Sequence, residues 1–387
     1  MQCEIAVIGN GAIGKTTALG FAQAGYQVIL VASSSATKPM SEEWDARVFA
    51  LNHTAKNLLS KLKVWDALNT QRIAPIEAMQ VFDEAGAQLN LDAYSAHQQE
   101  LAWIVEDQNL NHALDAALRF TPNVQIVHGK TESISADFAE LTLDNKTTLQ
   151  AELWVGADGA QSWLRNQADI NLDYRSYGQR GVVANFSCSK PHHGVAHQWF
   201  VGELGVIALL PLPGQQVSLV WSAPEALATT LMSESTEQLA ARLAEYCSAQ
   251  LGELTSLPPH RTQAFPLQFI SPHKMTGTRF ALVGDAAHVV HPLAGHGMNL
   301  GFGDVAALLD AVSQREAWRS CGDERVLQRY ARARKEEVLL MQLTTDGLSR
   351  LFGSTLTPVQ TARSVGMSMI NKLPFFKKRL IQQAMGK

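Results

Sequence analysis

The first 32 residues hold the pattern that most restricts how this chain can fold. An apolar run at 4–8 is followed by a glycine-rich turn, a helical pattern over about 13–24 and a second apolar run at 27–31. Two short buried strands joined by a helix of this length lie side by side and parallel in one sheet. The chain is therefore predicted to open with a βαβ unit.

The turn inside this unit matches the dinucleotide motif GxGxxG. In that motif Gly9 makes the tight turn, Gly11 lets the backbone approach the pyrophosphate, and Gly14 allows close packing of helix on strand. A dinucleotide site usually also has an acidic residue at the end of the second strand. In this chain Ala32 occupies that position. The adenosine ribose is therefore predicted to lack its usual carboxylate partner.

The same turn also matches the P-loop motif GxxxxGK[ST]. In a P-loop, Lys15 reaches the phosphates of a nucleoside triphosphate and Thr16 binds magnesium. A P-loop protein needs an aspartate that closes a second buried strand, and the candidates, Asp158 and Asp285, both stand in glycine-rich turns. The dinucleotide interpretation is favoured, and the P-loop interpretation stays open.

A second informative turn follows the apolar strand at 280–283 and precedes a helical pattern that begins near Met298. Gly284 and Asp285 stand directly after that strand. A carboxylate can bind the hydroxyls of a polyol, and the free N–H groups at a helix start favour negative charge. A flavin presents both a ribityl chain and a ring edge that becomes negative on reduction. The segment therefore predicts a flavin site.

Composition excludes several classes of protein. Of the 387 residues, 46% are hydrophobic and 18% charged, and the net charge is −4, which gives no reason to expect nucleic-acid binding. No apolar run approaches the length of a membrane span, and the first strand leaves no room for a cleaved signal peptide. Four scattered cysteines without a CxxC pair suit a reducing compartment. A cytoplasmic protein without a structural metal is expected.

The order of predicted elements is strands with helices, then mostly strands, then a strand–helix unit, then helices. Helical periodicity is seen over 57–68 and 110–118, and antiparallel strands are predicted within 180–222. A nucleotide-binding domain interrupted by a sheet-based substrate domain and followed by a helical tail accounts for this order.

A third turn, Asp158-Gly159, ends another buried strand, and Ser162 and Arg165 follow it. Three such turns in this order resemble the GxGxxG, DG and GD motifs of single-component FAD-dependent aromatic hydroxylases. Within that family the chain most resembles the ubiquinone-biosynthesis hydroxylases. The segments that carry the resemblance are 45–51, 105–106, 157–165, 209–212, 265–267, 284–305, 346–348, 351–352 and 384–386, together with Tyr330 and Arg334.

The resemblance implies an α/β fold: a Rossmann-like FAD-binding domain with an inserted β-sheet substrate domain and a helical C-terminal region. The implied boundaries are 1–70, 100–170 and 271–345 for the FAD domain, 71–99 and 171–270 for the substrate domain, and 346–387 for the helical region. The implied FAD contacts are Gly9, Gly11, Ala12, Ile13, Gly14, Arg47, Gln108, Asp158, Gly159, Gly284, Asp285, Pro292, Gly295, Gly297, Met298 and Asn299.

Pro292 and His296 are the residues that the resemblance places nearest to the catalytic chemistry. His296 stands where the family usually has Gln, and Gly303 where a bulkier residue is common. A histidine beside the flavin would change the charge near the ring as it titrates. The three histidines His288, His291 and His296 lack acidic or cysteine partners at ligand spacing, so no metal site is predicted.

The implied reaction is the hydroxylation of a polyprenylated phenol or benzoquinol by O₂ through a flavin C4a-hydroperoxide, with NAD(P)H as a transient reductant. The basic and apolar tail at 372–387 predicts peripheral contact with the inner face of a membrane, and a helix packed on its own domain is the open alternative. Membership of a quinone-biosynthesis complex and a homo-oligomer are further expectations. The alternatives are a non-catalytic subunit of such a complex, with a degenerate FAD site, and a P-loop ATPase.

Overall fold

The computed structural model describes residues 1–33, 40–291, 295–353, 357–373, 377–379, 381–382 and 385. Its strands are β1 (Gln2–Ile8), β2 (Val28–Ala32), β3 (Val48–Leu51), β4 (Ile73–Ile76), β5 (Ala78–Phe82), β6 (Gln88–Asp92), β7 (Ala102–Glu106), β8 (Val124–His128), β9 (Thr131–Ile134), β10 (Glu140–Leu143), β11 (Thr148–Gly156), β12 (Leu172–Cys188), β13 (Val195–Phe200), β14 (Val206–Leu212), β15 (Gln216–Pro224), β16 (Leu254–Ser256), β17 (Gln263–Pro272), β18 (Thr276–Gly277) and β19 (Phe280–Leu282). Its α-helices are α1 (Ala12–Gln23), α2 (His53–Lys61), α3 (Asp107–Arg119), α4 (Trp163–Gln167), α5 (Glu225–Ser233), α6 (Thr236–Leu251), α7 (His296–Ser313), α8 (Glu324–Phe352) and α9 (Thr357–Lys372).

The first sheet has the strand order β18-β19-β11-β1-β2-β8, in which β19, β11, β1, β2 and β8 run parallel. The predicted βαβ opening is confirmed, because β1 pairs in parallel with β2 and α1 joins them. Residues of α1, α3 and α7 cover one face. On the other face lie α4 and the antiparallel strands β9 and β10, of which β10 pairs with the first residues of β11. Both faces of β1, β2 and β19 are largely buried, which explains the continuous apolar runs of these strands, whereas the edge strand β8 is mostly exposed.

The second sheet has the order β16-β12-β15-β14-β13-β5-β6, with β17 also paired to β12. Its neighbours are antiparallel except for β13 and β5, which run parallel. The predicted antiparallel strands within 180–222 are thus confirmed. One face packs on α5 and α6, and the sheet's side chains therefore alternate between that core and the opposite face.

The third sheet is small and antiparallel, with the order β3-β7-β4. Apolar residues of β4 and β7, including Ile76 and Ile104, pack against Ala196 and Leu212 of the second sheet. The third sheet therefore connects the other two. Since β4 pairs with β7 while β5 and β6 join the second sheet, the segment 71–99 contributes to both sheets. The domain boundaries stay a prediction.

The helix predicted over 57–68 is wrong at both ends. The side chain of Asn52 accepts a hydrogen bond from the N–H of Ala55, so α2 begins at His53. The helix ends at Lys61 because Lys63 adopts a left-handed conformation with φ of 59°. The N–H of the next residue, Val64, then bonds to the carbonyl of Leu59, which closes the helix end.

Candidate active site

A cavity of about 1220 Å³ lies where the three sheets meet. One end is formed by the glycine turn between β1 and α1 and by the turn after β19. The third sheet and the start of α7 form its middle, and the second sheet forms the far wall. The predicted site residues that line it are Gly11, Ala12, Ile13, Arg47, Gln108, Gly159, Gly284, Asp285, Gly295, Gly297, Met298 and Asn299.

The glycines of the first turn serve two different purposes. A Cβ on Gly9, whose φ is 122°, would lie 2.2 Å from the carbonyl oxygen of Ala157, and a Cβ on Gly14 would lie 1.9 Å from the carbonyl oxygen of Gly9. These two glycines allow β1, α1 and β11 to pack closely, and neither lines the cavity. Gly11 caps α1 and has no atom within 4 Å of the Cβ position, so the start of α1 is open to the cavity.

The two side chains that a P-loop would need are engaged in other contacts. Lys15 Nζ lies 2.7 Å from Oδ1 of Asp115 on α3, and both side chains are largely buried. The hydroxyl of Thr16 donates to the carbonyl of Ala12 at 2.7 Å. With its lysine held against α3 and its threonine bonded within α1, the turn has the arrangement of a dinucleotide site. This geometry removes the P-loop interpretation.

Asp285 presents a free carboxylate to the cavity. It lies in a 3₁₀ turn after β19, caps no helix through its side chain, and accepts no hydrogen bond from any described residue. The side chain is exposed because the cavity opens in front of it, while protein surrounds it on the other sides. That desolvation raises the pKa of the Asp285 carboxyl, and His288 and Arg47 act in the lowering direction.

A buried ionic cluster supports this turn from behind. Oδ2 of Asp304 accepts from the N–H of Gly284 at 2.9 Å and from His288 Nε2 at 2.6 Å, and its Oδ1 faces Nε of Arg334 at 2.8 Å. Burial alone raises the pKa of the Asp304 carboxyl, but the contacts with His288 and Arg334 lower it below its ordinary value. A Cβ on Gly303 would lie 2.8 Å from the Arg334 guanidinium, so the unusual glycine makes room for it.

The DG turn is connected to the GD turn by one arginine. Arg165 donates to the carbonyls of Ala160 at 2.7 Å and Ala286 at 3.0 Å. The hydroxyl of Ser162 caps α4. Oδ2 of Asp158 accepts from the N–H of Leu164 at 3.1 Å, and this aspartate does not line the cavity. The side chains of the motif thus organise the turn, and Gly159 is its part that reaches the cavity.

The start of α7 is bonded to the third sheet through Asn299. Its Nδ2 donates to the carbonyl of Ala50 at 2.8 Å, and its Oδ1 accepts from the N–H of Asn52 at 3.0 Å. Gly295 precedes α7 in a left-handed conformation with φ of 67°. His296 is the first residue of α7, and Pro292 lies outside the described residues. The helix N-terminus therefore faces the middle of the cavity.

Arg47 lines the cavity with a cationic side chain, as does Lys15, which is paired with Asp115. Its guanidinium lies 5.3 Å from the ring centre of Phe49 and 5.8 Å from that of Phe265, and within the described residues it has no ion pair. Burial raises the pKa of the nearby Asp107, and Arg47 acts in the lowering direction. The Gln108 amide accepts from Ser41 and donates to Glu43, so it holds the adjoining loop.

Several polar residues of the second sheet that line the cavity were missed by the sequence reasoning, among them Gln263 and Gln268 of β17. Gln198 on β13 and Ser222 on β15 line the cavity in a wall whose other members include Ala196, Ala208 and Val220. The detectable signal is a single polar residue on one face of a strand that is otherwise apolar there. Within the described parts of the chain, no group of three or more His, Cys, Asp and Glu side chains is placed to hold a metal ion.

The model of the FAD binding domain family matches residues 2–341. The chain is 32% identical to 3-demethoxyubiquinol 3-hydroxylase of Escherichia coli (strain K12) over 99% of its length and 98% of the relative's. It is 30% identical to the ubiquinone hydroxylase UbiL of Rhodospirillum rubrum, covering 99% of this chain and 89% of that one. The chain therefore belongs to the FAD-binding flavoprotein monooxygenases.

Within that class its relatives are ubiquinone-biosynthesis hydroxylases. Among solved structures, PqsL of Pseudomonas aeruginosa is similar with a TM-score of 0.78 and 20% identity, over 95% of this chain and 99% of that one. The p-nitrophenol 4-monooxygenase PnpA of Pseudomonas putida DLL-E4 has a TM-score of 0.77 and 18% identity, over 99% and 98%. The predicted fold class, enzyme class and FAD cofactor are confirmed.

Proposed function

We propose that this monooxygenase hydroxylates the ring of a polyprenylated phenol or benzoquinol intermediate of ubiquinone biosynthesis. The observation that carries the proposal is one continuous cavity from the N-terminus of α1 to the apolar wall of the second sheet. Its volume of about 1220 Å³ exceeds the roughly 300–1,000 Å³ that is typical of a small-molecule pocket. A dinucleotide and a second ligand can therefore occupy it together.

The residues present fit FAD. The open N-terminus of α1 at Gly11 and the guanidinium of Arg47 offer donors and positive charge to the pyrophosphate. Asp285 offers its unpartnered carboxylate to the ribityl hydroxyls, and the start of α7 at Gly297 and Met298 offers N–H groups to the flavin ring. The other predicted contacts, including those of Pro292 and His296, stay a prediction.

When bound and reduced by NAD(P)H, FAD supplies the activation of O₂ for transfer of a hydroxyl to the ring. The chain's own residues bind the cofactor, orient the substrate and exclude water. The start of α7, held against the third sheet by Asn299, keeps its N–H groups directed at the middle of the cavity. These donors favour negative charge there.

The part of the cavity next to β5, β6 and the C-terminal segment is lined by apolar side chains and fits the prenyl chain. Met79, Leu91 and Leu101 line this part of the cavity, and Ile381 of the C-terminal segment, which is 1% exposed, lies against it. A hydrocarbon tail that enters here buries apolar surface at both partners. The name of the E. coli relative, a demethoxyubiquinol hydroxylase, supports this class of substrate.

Contact with a membrane surface is part of the proposal. No helix among the described residues is long and apolar enough to cross a bilayer. Exposed apolar side chains lie along α8 and α9 at Leu343, Leu351 and Met369. The cations Lys378 and Arg379 follow α9, whereas Lys377 is paired with Asp92. Apolar side chains next to cations are typical of surfaces that bind anionic lipid. Homo-oligomer formation and membership of a quinone-biosynthesis complex stay predictions.

An absorption spectrum tests the proposal against the accessory-subunit alternative. Protein incubated with FAD and then desalted is expected to retain a flavin spectrum, and Asp285→Asn to retain less FAD than the exposed control Asp66→Asn. The FAD-loaded protein should consume O₂ and NAD(P)H faster when a short-chain prenylated phenol is added. A protein that never retains FAD would be an accessory subunit.

A further inference from the structure

A buried carboxamide, Gln198, interrupts the apolar cavity face of β13, β14 and β15, while the half-buried Gln263 and Gln268 line the cavity from β17. Gln198 stands opposite Ala208 of β14, which stands opposite Val220 of β15. The two neighbours of Ala208 along β14 are Ile207 and Leu209. Their side chains point to the opposite face of the sheet and belong to the core under α5 and α6. Gln198 therefore projects from the cavity face, with small or apolar side chains beside it.

The carboxamide lacks a partner in the protein. Gln198 is only 6% exposed, and no described residue forms a hydrogen bond with its side chain. Ser222, which shares this face, is 4% exposed, and its hydroxyl has no partner in the described structure either. The polar atoms of both side chains are open to the cavity rather than enclosed in the core, so they can bond to a ligand that brings polar atoms of its own.

We propose that the Gln198 carboxamide recognises an oxygen substituent of the ring that this enzyme hydroxylates, with Ser222 as a second contact. The inference rests on the proposed function. A carboxamide has an acceptor and two donors, so a phenolic O–H can donate to its Oε1 while its Nε2 donates to a hydroxyl or methoxy oxygen. Ala208, directly beside Gln198, leaves space for a flat ring above the sheet.

Such a contact makes Gln198 a specificity-determining residue. An apolar pocket discriminates weakly between a ring with a hydroxyl and one without it. A pocket that offers a hydrogen-bond partner rejects the ring without a hydroxyl, because its own polar group is then left unpaired. On β13, β14 and β15 the other residues of this face that line the cavity are apolar, so these strands contribute to the preference for an oxygenated ring through these two side chains.

The test compares two probes on the FAD-loaded enzyme. Binding of 2-prenylphenol and of prenylbenzene is measured from the change they cause in the flavin absorbance spectrum, which needs no turnover. We expect the wild type to bind the phenol at least about tenfold more tightly than the hydrocarbon. Gln198→Leu should lower this ratio clearly by weakening binding of the phenol alone, and the remainder is the part that Ser222 supplies. An unchanged ratio would overturn the proposal.

Matched serine variants provide the control. Ser222→Ala should lower the ratio, whereas Ser218→Ala should not, because the buried and unpartnered Ser218 hydroxyl on the same strand does not line the cavity. If Gln198→Leu fails to retain FAD, Gln198→Met replaces it with an unbranched side chain of similar length. An equal loss in both serine variants would assign the effect to packing and contradict the proposal.

The two proposals fail in different ways. If neither probe changes the flavin spectrum of the wild type, the proposed substrate class is wrong and this inference fails with it. If 2-prenylphenol binds the wild type and Gln198→Leu equally well, the substrate class stands and only the role of Gln198 is overturned.

Discussion

The imidazole Nε2 of His288 lies 2.6 Å from Oδ2 of Asp304, and the two side chains are 1% and 0% exposed. The same carboxylate oxygen accepts from the backbone N–H of Gly284. On its other side the carboxylate faces Arg334 of α8. One buried carboxylate thus connects α7, α8 and the turn that presents Asp285 to the cavity.

Asp304→Asn is expected to reduce both stability and FAD binding. The change removes the buried counter-charge of Arg334, whose remaining carboxylate partner, Glu337, is about half exposed. Loss of one partner of a buried pair lowers the free energy of unfolding by about 3 to 5 kcal/mol. Urea denaturation at neutral pH measures the loss. Asp310→Asn, at an exposed position on the same helix, should change stability by less than about 0.5 kcal/mol. If both variants were equally stable, the cluster would have no anchoring role.

Two buried histidines predict a loss of stability in mild acid. Burial lowers the pKa of His197 and of His291 from 6.5 to about 4. Because the folded pKa lies below the unfolded one, the unfolded chain binds more protons between pH 6.5 and 4, and stability falls as the pH decreases through this window. Each histidine is expected to lower the free energy of unfolding by about 3 kcal/mol as the pH decreases from 6.5 to 4.

Removing one of these histidines tests that pH dependence. His197 stacks on Trp199, and His197→Phe keeps a planar ring while it removes the titrating group. Chemical denaturation at several pH values measures the free energy of unfolding. As the pH decreases, this free energy should fall less steeply for the variant than for the wild type. His128→Phe, at an exposed position, should leave the slope unchanged. A slope that responds to neither variant would show that other groups control acid unfolding.

The Lys15–Asp115 pair predicts non-additive stability effects. Lys15→Met or Asp115→Leu alone leaves a largely buried charge unpaired, so each should cost about 3 kcal/mol or more. The double variant should cost clearly less than the sum, because it removes both charges at once. Thermal or urea unfolding of the four proteins measures the coupling. Additive losses of stability would contradict a direct interaction between the two charges. The same conclusion would follow if the wild type bound ATP and Lys15→Met abolished that binding.

The first glycine turn predicts a contrast between two alanine variants. Gly11→Ala should fold normally, because its φ of −82° suits alanine and no atom lies near the new Cβ. The methyl group would instead enter the cavity and raise the Kd of FAD about tenfold or more, which is at least about 1.4 kcal/mol. Titration followed by flavin fluorescence measures this Kd. Gly14→Ala should lose stability itself, since its Cβ would meet the carbonyl of Gly9.

The turns were the part of the fold and site that could be predicted from the sequence. Gly9, Gly284 and Gly295 all have positive φ, a conformation that glycine adopts without strain, and this requirement leaves a local mark in the sequence. The βαβ opening was predictable for a similar reason, since its apolar periodicity is local. The end of α2 was not, because it depends on the left-handed Lys63, which no glycine signals.

The direction of polar side chains could not be predicted in this way. The sequence suggested Gln108 and Asn299 as cofactor contacts, and the structure shows their amides bonded to the backbone at 41–43 and 50–52. Both residues line the cavity, but their amides also hold its walls in place. Such partners lie far apart in the sequence, and only the packed chain brings them together.

The sequence by itself therefore determined the class of this protein: a βαβ opening and three glycine turns in the order of a flavoprotein hydroxylase. The tertiary structure decided which chemistry the first turn supports, because Lys15 turns towards Asp115 on a helix about a hundred residues away. It also decided that Gln198 faces the cavity, because strand register selects the face of every side chain. Local motifs specify backbone conformation, whereas side-chain partners depend on how distant elements pack.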